Sequence, residues 1–271
     1  MNQNLNRIFS RLWNGYSTYN PSVAKIHNLF ESEGEKVVND HIAFRTLDII
    51  DIDIEVISKP FLANGYVQKG EYTFKEKHLY ARHYELPGDA EAPRVFISQL
   101  KLDEVSSYIK SLFIREINML PKCGFLSPDL IYSGAIFSPL SYEVYKRLRE
   151  ESEYAAWFYV FGFRANHFTV SVNHLAKHND IFKVNELLKS NGFKLNSSGG
   201  EVKGTPEELL QQSSTMADIV NVQFVEGEFE VPSCYYEFAQ RFPDADGKLY
   251  SGFIAKSADK IFESTNFYTK N

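Results

Sequence analysis

Two stretches of this chain repeat one pattern, and this repeat limits the possible folds more than any other feature. The first runs from Asp40 to Thr46 and the second from Asn166 to Val172. Each opens with a short polar residue and a histidine, His41 or His167, and continues mainly in β-branched and aromatic residues that favour strands. Successive side chains of a strand point to opposite faces, so each histidine would lie on a polar face backed by an apolar one. We interpret the two strands as halves of one site.

The residues that follow each histidine also correspond. His41 precedes Gly65 by 24 residues and His167 precedes Gly192 by 25, with the flanking sequences Ala-Asn-Gly-Tyr and Ser-Asn-Gly-Phe. A glycine at this place is typical of the end of a helix. Asn-Gly is also a frequent turn dipeptide, so a chance match is the alternative. We favour an internal duplication in which each copy is a βαβββ module.

The predicted fold class is α+β, with the two modules forming a partly closed mixed sheet, helices packed outside it and a helical insertion between the modules. A chain of 271 residues fits one large domain or two closely packed ones. We predict a single catalytic domain over residues 1–271. Its parts are N-terminal helices (1–35), a first module (36–101), the insertion (102–153), a second module (154–242) and a C-terminal segment (243–271).

Local patterns predict the elements of each module. In the first module we expect a helix from Ile49 to Ala63, kinked or ended at Pro60, and strands over 66–70, 73–86 and 94–100. In the second module we expect a strand from Ala155 through Asn173, a helix from Ile181 to Ser190, and a strand over 233–240. The segment from Gln212 to Asp218 reads as a helix end or a polar loop.

Composition excludes several classes of protein. The net charge of −6 and the scattered Lys and Arg argue against a nucleic-acid surface. The two cysteines, Cys123 and Cys234, are too few for a disulfide framework, and residues 1–7 lack an apolar signal core. No apolar run approaches the roughly 18 to 20 residues of a membrane-spanning helix. We therefore expect a reduced, cytoplasmic protein without a membrane or nucleic-acid partner.

Two modules that meet in one sheet would gather His41, His167 and Glu237 from three strands. Two imidazoles and a carboxylate with open positions form the facial triad suited to non-haem Fe(II), or to Mn or Zn in related sites. Taken alone, Glu237 could equally form a buried ion pair, for instance with Arg241. The remaining histidines read as ordinary hydrogen-bonded residues: His27, His78, His83, His174 and His178.

Arg45 shares the strand face of His41. It follows His41 by four residues, about 13 Å along a strand at ~3.3 Å per residue, and its long side chain can fold back. A guanidinium pairs with a carboxylate as a fork, so Arg45 suits the far carboxylate of a dicarboxylic acid chelated to the metal at its other end. The alternative is a plain ion pair with a neighbouring carboxylate.

At these residues the chain resembles the iron-dependent 2-oxoadipate dioxygenase/decarboxylase family, which was formerly a domain of unknown function and is related to the vicinal oxygen chelate fold. The resemblance spans most of the chain. It rests on five stretches, at residues 39–46, 165–170, 212–218, 233–239 and 257–263.

The resemblance implies roles for four residues. The metal ligands would be His41, His167 and Glu237, and Arg45 would bind the substrate carboxylate. It implies Fe(II) as the cofactor, with Mn, Zn or Ni as possible substitutes. The implied reaction converts 2-oxoadipate, or a similar 2-oxo dicarboxylic acid, with O₂ to 2-hydroxyglutarate and CO₂. A place in lysine breakdown would follow from the resemblance only, and the oligomeric state stays unknown.

Two alternatives stay open at this point. One is a metal-dependent lyase, isomerase or hydrolase of the same fold that uses Zn or Mn without redox chemistry. The other is a non-catalytic protein whose duplicated cup binds a small acid. Turnover without O₂ would favour the first. Binding of a small acid that survives loss of the histidines would favour the second.

Overall fold

A computed structural model describes residues 1–125 and 127–265. The helices within these residues are α1 (Gln3–Tyr19), α2 (Pro21–Ser32), α3 (Ile54–Leu62), α4 (Ser107–Met119), α5 (Tyr142–Glu151), α6 (Glu153–Phe161), α7 (Ile181–Ser190) and α8 (Ala255–Phe262). The strands are β1 (Asn39–Leu47), β2 (Val67–Phe74), β3 (Leu79–Glu85), β4 (Arg94–Leu100), β5 (Ala165–Ser171), β6 (Leu210–Ser214), β7 (Ile219–Phe224), β8 (Gly227–Pro232) and β9 (Glu237–Arg241).

Seven strands form one curled mixed sheet in the order β2-β3-β4-β1-β5-β9-β6. β1 runs parallel to β4 and β5 runs parallel to β9, while β1 and β5 meet antiparallel in the middle. Each half of the sheet therefore pairs its first strand parallel to its last, and the predicted α+β class with a partly closed mixed sheet is confirmed. The first half contributes four strands to this sheet and the second three, because β7 and β8 form a separate hairpin outside it.

One face of the central strands packs against α1. Phe168 of β5 contacts Trp13 and Tyr16, with ring centroids 5.2 and 5.1 Å apart. These rings are the apolar backing that the alternating pattern predicts. The side chains that alternate with them, such as His167 and Thr169, therefore lie on the opposite face of the sheet.

The predicted strand from Ala155 through Asn173 is wrong in its first half, which is helix α6. An apolar run that is buried on all sides has no periodicity to separate helix from strand, and every residue of α6 after Glu153 is buried. Ser152 begins the helix by accepting a hydrogen bond from the Ala155 N–H. Gly162 ends it with a φ of +58°, where a Cβ would lie 2.1 Å from the Gly134 carbonyl oxygen.

The predicted helix from Ile49 to Ala63 is shorter than expected at its start. Asp53 caps it by accepting a hydrogen bond from the Val56 N–H, and Pro60 lies inside the helix rather than ending it. The break between the next two strands is also misplaced. It falls at 75–78, where His78 takes a left-handed φ of +56°.

The segment from Gln212 to Asp218 is not a helix end or a simple loop. Its first three residues belong to β6, which pairs antiparallel with β9 and places Ser214 opposite Glu237. Two other predictions are confirmed with their bounds, namely the helix from Ile181 to Ser190 and the strand from Arg94 to Leu100. Among the described residues, no helix is long and apolar enough to cross a bilayer.

Candidate metal centre

Three neighbouring strands bring His41, His167 and Glu237 together. Thr169 of β5 pairs with both His41 of β1 and Glu237 of β9. The strand register therefore places His41 and Glu237 on either side of β5, beside His167. One ligand atom from each lies within 4.8 Å of the others, and all three side chains are buried. The Nε2 atoms of the histidines are 3.4 Å apart, and the Glu237 carboxylate oxygens lie 3.5 Å from His41 and 3.2 Å from His167.

Each histidine is oriented by the residue before it in the chain. Nδ1 of His41 lies 2.8 Å from Oδ1 of Asp40, and Nδ1 of His167 lies 3.1 Å from Oδ1 of Asn166. An Nδ1–H that donates to an oxygen leaves Nε2 with a free lone pair, which is the arrangement of metal-binding histidines. The short polar residue that opens each repeat therefore aims the imidazole toward the centre.

Asp40 is itself held by a buried arginine. Arg241 donates from Nε and Nη2 to its two carboxylate oxygens at 2.7 and 2.9 Å. The ion pair between Arg241 and Glu237, which the sequence left open, is therefore wrong. Arg241 instead supports His41 through Asp40, a link that connects residues 201 positions apart and that sequence reasoning missed.

The electrostatics of the cluster favour a bound cation. Burial lowers the pKa of both His41 and His167, so the imidazoles stay neutral, and burial raises the pKa of Glu237 to about 8. Among the described residues no Lys or Arg forms a salt bridge with Glu237. A dication would supply the charge that this buried carboxylate lacks, and two neutral imidazoles with one carboxylate are a suitable donor set. These residues could hold a metal ion.

A cavity opens from the three ligand atoms. Arg45 lines it together with the histidines, as the shared strand face predicted, and Tyr235 also lines it. Helix α8 and the segment before it cover the cavity. The other lining residues are Ala43, Phe44, Phe96, Ser98, Asn166, Gln212, Phe253, Ala258, Ile261 and Phe262.

Four of the lining side chains carry buried polar atoms without a hydrogen-bond partner among the described residues. They are Nε and Nη1 of Arg45, Nδ2 of Asn166, Oε1 of Gln212 and the hydroxyl of Tyr235. Buried polar atoms are seldom left unpaired. Their concentration around one cavity indicates that the cavity receives a polar ligand.

Arg45 is 3% exposed and lies among aromatic rings rather than carboxylates. Its guanidinium carbon is 5.0 Å from the ring of Tyr154 and 4.9 Å from that of Trp157. The plain ion pair considered from the sequence is absent among the described residues. Arg45 and Phe262 also line an open cleft on the surface, so they lie between that cleft and the inner cavity.

Gln212 is the site residue that sequence reasoning placed least well. Its Nε2 donates to Oε1 of Glu237 at 2.6 Å, which fixes the carboxylate. Only the pairing of β6 with β9 makes this contact. The five remaining histidines stay outside the cluster, and His83, for example, is buried between Tyr72 and Glu85.

The family model of 2-oxoadipate dioxygenase/decarboxylase matches residues 8–120 and 135–249. The chain belongs to this family. The resemblance inferred from the motifs is thereby confirmed.

Individual relatives agree with this assignment. The chloroplastic 2-oxoadipate dioxygenase/decarboxylase of Arabidopsis thaliana is 36% identical over 92% of this chain and 74% of its own length. The hydroxyglutarate synthase of Oryza sativa, solved with 2-oxoadipate, is 32% identical with a TM-score of 0.90, covering 98% of this chain and 95% of that one. A Shewanella frigidimarina structure, provisionally named a hydrolase, is 47% identical with a TM-score of 0.88, covering 94% and 99%.

A more distant structure bears on the fold alone. A Ralstonia eutropha protein provisionally assigned to the glyoxalase superfamily has a TM-score of 0.67 at 21% identity, covering 92% of this chain and 84% of that one. This similarity agrees with the vicinal oxygen chelate-like architecture expected from the sequence.

Proposed function

We propose that this enzyme is an Fe(II)-dependent dioxygenase/decarboxylase that converts 2-oxoadipate and O₂ to 2-hydroxyglutarate and CO₂. The observation that carries the proposal is a buried cluster of two histidines and one glutamate that faces the same cavity as Arg45, an arginine without a carboxylate partner among the described residues. Family membership and the 2-oxoadipate in the Oryza sativa structure support the choice of substrate.

His41, His167 and Glu237 would hold the metal. Three protein ligands leave positions open for a substrate and O₂, whereas a structural site would be closed by a fourth protein ligand. Fe(II) bound there would supply the redox chemistry with O₂ that a 2-oxo acid oxidation needs. Asp40, Asn166 and Gln212 keep the three ligands oriented before the metal arrives.

Arg45 would bind the far carboxylate of the substrate. The rings of Tyr154 and Trp157 hold its guanidinium, and its buried Nε and Nη1 have no partner among the described residues. The guanidinium therefore has donors left for a substrate carboxylate, which arginine binds through charge-assisted hydrogen bonds. A substrate fixed at its 2-oxo acid end by the metal and at its far end by Arg45 has a defined orientation, which is the main protein contribution to such a reaction.

Apolar side chains would exclude water from the bound acid. Phe253 and Ile261 are buried over the cavity, and the ring of Phe253 lies 4.8 Å from that of His41. Exclusion of water strengthens the pairing of Arg45 with a carboxylate because the local dielectric constant is lower.

The test uses purified protein freed of metal by a chelator and reloaded under anaerobic conditions with Fe(II), Mn(II), Zn(II) or Ni(II). We expect O₂ uptake and CO₂ release with 2-oxoadipate after loading with Fe(II) only. Fully iron-loaded protein that neither consumes O₂ nor releases CO₂ contradicts the proposal. Turnover of a substrate without O₂ would instead identify a lyase, isomerase or hydrolase.

A non-catalytic binding protein is distinguished by variants. We expect His41→Ala and His167→Ala to lose both metal and 2-oxoadipate binding, as a metal-chelated substrate requires. Retention of small-acid affinity in these variants would support a binding protein instead.

We also propose that residues 1–271 act as one catalytic unit in a reducing compartment, the cytoplasm. Cys234 is a buried free thiol, and burial raises the pKa of this thiol to about 12, which fits a protein that does not rely on disulfides. Cell fractionation with an antibody to the protein tests the compartment. Recovery with an organelle fraction would contradict it.

A further inference from the structure

Tyr235 lies two residues before Glu237 and is fully buried in the wall of the cavity. Its ring is nearly parallel to the imidazole of His167, with centroids 4.8 Å apart and an interplanar angle of 27°. Its hydroxyl has no hydrogen-bond partner among the described residues. The proposed metal site does not use this hydroxyl.

The position of Tyr235 is fixed from outside the cavity. The hydroxyl of Tyr16 in α1 donates to the backbone carbonyl of Tyr235, and the indole N–H of Trp157 in α6 donates to the carbonyl of Ser233 at 2.7 Å. On the other side, Ile261 of α8 packs against Tyr235. The phenol is therefore held in place by three separate elements rather than by a flexible loop.

The hydroxyl is a neutral donor. A phenol has an ordinary pKa of about 10 and is protonated at neutral pH. Tyr235 and Arg45 line the same cavity, so one buried ligand can contact both side chains. A group that reaches Arg45 can therefore also accept a hydrogen bond from Tyr235.

A carboxylate has room for both residues. Its two oxygens offer about four lone-pair positions, and the fork of Arg45 uses two of them. We propose that Tyr235 is a substrate-binding residue that donates a hydrogen bond to the far carboxylate held by Arg45, and so selects dicarboxylic over monocarboxylic 2-oxo acids. This inference rests on the proposed function, because that function supplies the dicarboxylic substrate.

The chain offers a matched control in the next residue. Tyr236 is also fully buried and its hydroxyl also lacks a partner among the described residues. It lies just before β9 and does not line the cavity, and its ring packs against Trp13 and Phe238 at 5.9 and 5.4 Å. Tyr236→Phe removes an equally buried hydroxyl that cannot reach the cavity.

The experiment compares Tyr235→Phe, Tyr236→Phe and the parent enzyme, all loaded with Fe(II) and kept anaerobic. Binding of 2-oxoadipate is measured against 2-oxohexanoate, which has the same chain length but no far carboxylate. A hydrogen bond to a charged group predicts that Tyr235→Phe weakens 2-oxoadipate binding about 10- to 100-fold. We expect 2-oxohexanoate binding and Fe(II) affinity to change less than about 2-fold in this variant, and Tyr236→Phe to keep the parent ratio of the two acids.

An unchanged ratio in Tyr235→Phe overturns the inference, and so does an equal loss for both acids. A second measurement repeats Tyr235→Phe in an Arg45→Met background, where its effect should nearly vanish because the far carboxylate is no longer anchored there. An effect of full size in that background also overturns the inference. If Tyr235→Phe fails to fold, the ratio of 2-oxoadipate to 2-oxohexanoate affinity is measured in Tyr235→Met instead, with the same expected loss.

The proposed function fails separately. In that case the parent enzyme would not bind 2-oxoadipate in preference to 2-oxohexanoate, or would not consume O₂ with it. A parent enzyme that does both, together with an unaffected Tyr235→Phe variant, removes only the role of Tyr235.

Discussion

Replacing Arg45 with methionine should separate the stability of this enzyme from its use of substrate. Arg45 is 3% exposed, and its Nε and Nη1 have no hydrogen-bond partner among the described residues. Each unsatisfied buried donor costs about 1–3 kcal/mol. The cation–π contacts with Tyr154 and Trp157 stabilise the fold by about 1–2 kcal/mol each and offset part of this cost. A methionine keeps most of the apolar contact, so the net change in the free energy of unfolding should lie between about −2 and +4 kcal/mol, centred on a small gain.

Binding should respond in the opposite direction. Removing one partner of a buried charge pair costs about 2–5 kcal/mol, which corresponds to roughly a 30- to 5,000-fold loss of 2-oxoadipate affinity. The assays are urea unfolding of the metal-free protein and anaerobic titration of the Fe(II)-loaded protein with 2-oxoadipate and 2-oxohexanoate. Fe(II) affinity should stay close to that of the parent, because Arg45 contacts no metal ligand through a hydrogen bond or salt bridge.

A control arginine lies on the surface. Arg147 has its guanidinium carbon 3.5 Å from the ring centroid of Tyr108 and does not line the inner cavity. Arg147→Met should lose about 0.5–1 kcal/mol of stability and leave both acids unaffected. The reasoning is refuted if Arg45→Met destabilises the fold by more than about 2 kcal/mol, or if it keeps the parent preference for 2-oxoadipate.

Three further outcomes follow from particular contacts. Asp40→Asn should lower metal affinity about 10- to 100-fold in a Co(II) titration, whereas Asn166→Asp should not lower it; equal losses would contradict the role of the Asp40 carboxylate. Burial raises the pKa of Glu35, but hydrogen bonds from three backbone N–H groups lower it to about 2. Glu35 should therefore contribute about 1–3 kcal/mol to the free energy of unfolding above pH ~4.5, and this contribution should be lost as the pH falls toward 2. Urea unfolding at pH 7 and pH 3 should therefore show a smaller acid loss in Glu35→Gln. Gly162→Ala should destabilise the protein by more than about 2 kcal/mol in the same assay, since its Cβ would overlap the Gly134 carbonyl oxygen, and wild-type stability would refute this reading.

The sequence by itself determined the parts of the site that depend on alternation along a strand. His41 and Arg45 share a face because successive strand side chains point in opposite directions. Helix α7 was predicted with its bounds because its signals are local. Asp180 caps its start through its own side chain, and Gly192 follows its end with a φ of +83°.

Only the tertiary structure decided which distant residues meet. The pairing of Arg241 with Asp40, the hydrogen bond from Gln212 to Glu237 and the cover formed by α8 each join segments far apart in the chain. Helix α6 was mistaken for a strand because residues buried on every side carry no periodic pattern. Local propensity acts over a few residues, whereas these contacts depend on sheet register and packing, which arise only once the whole chain has folded.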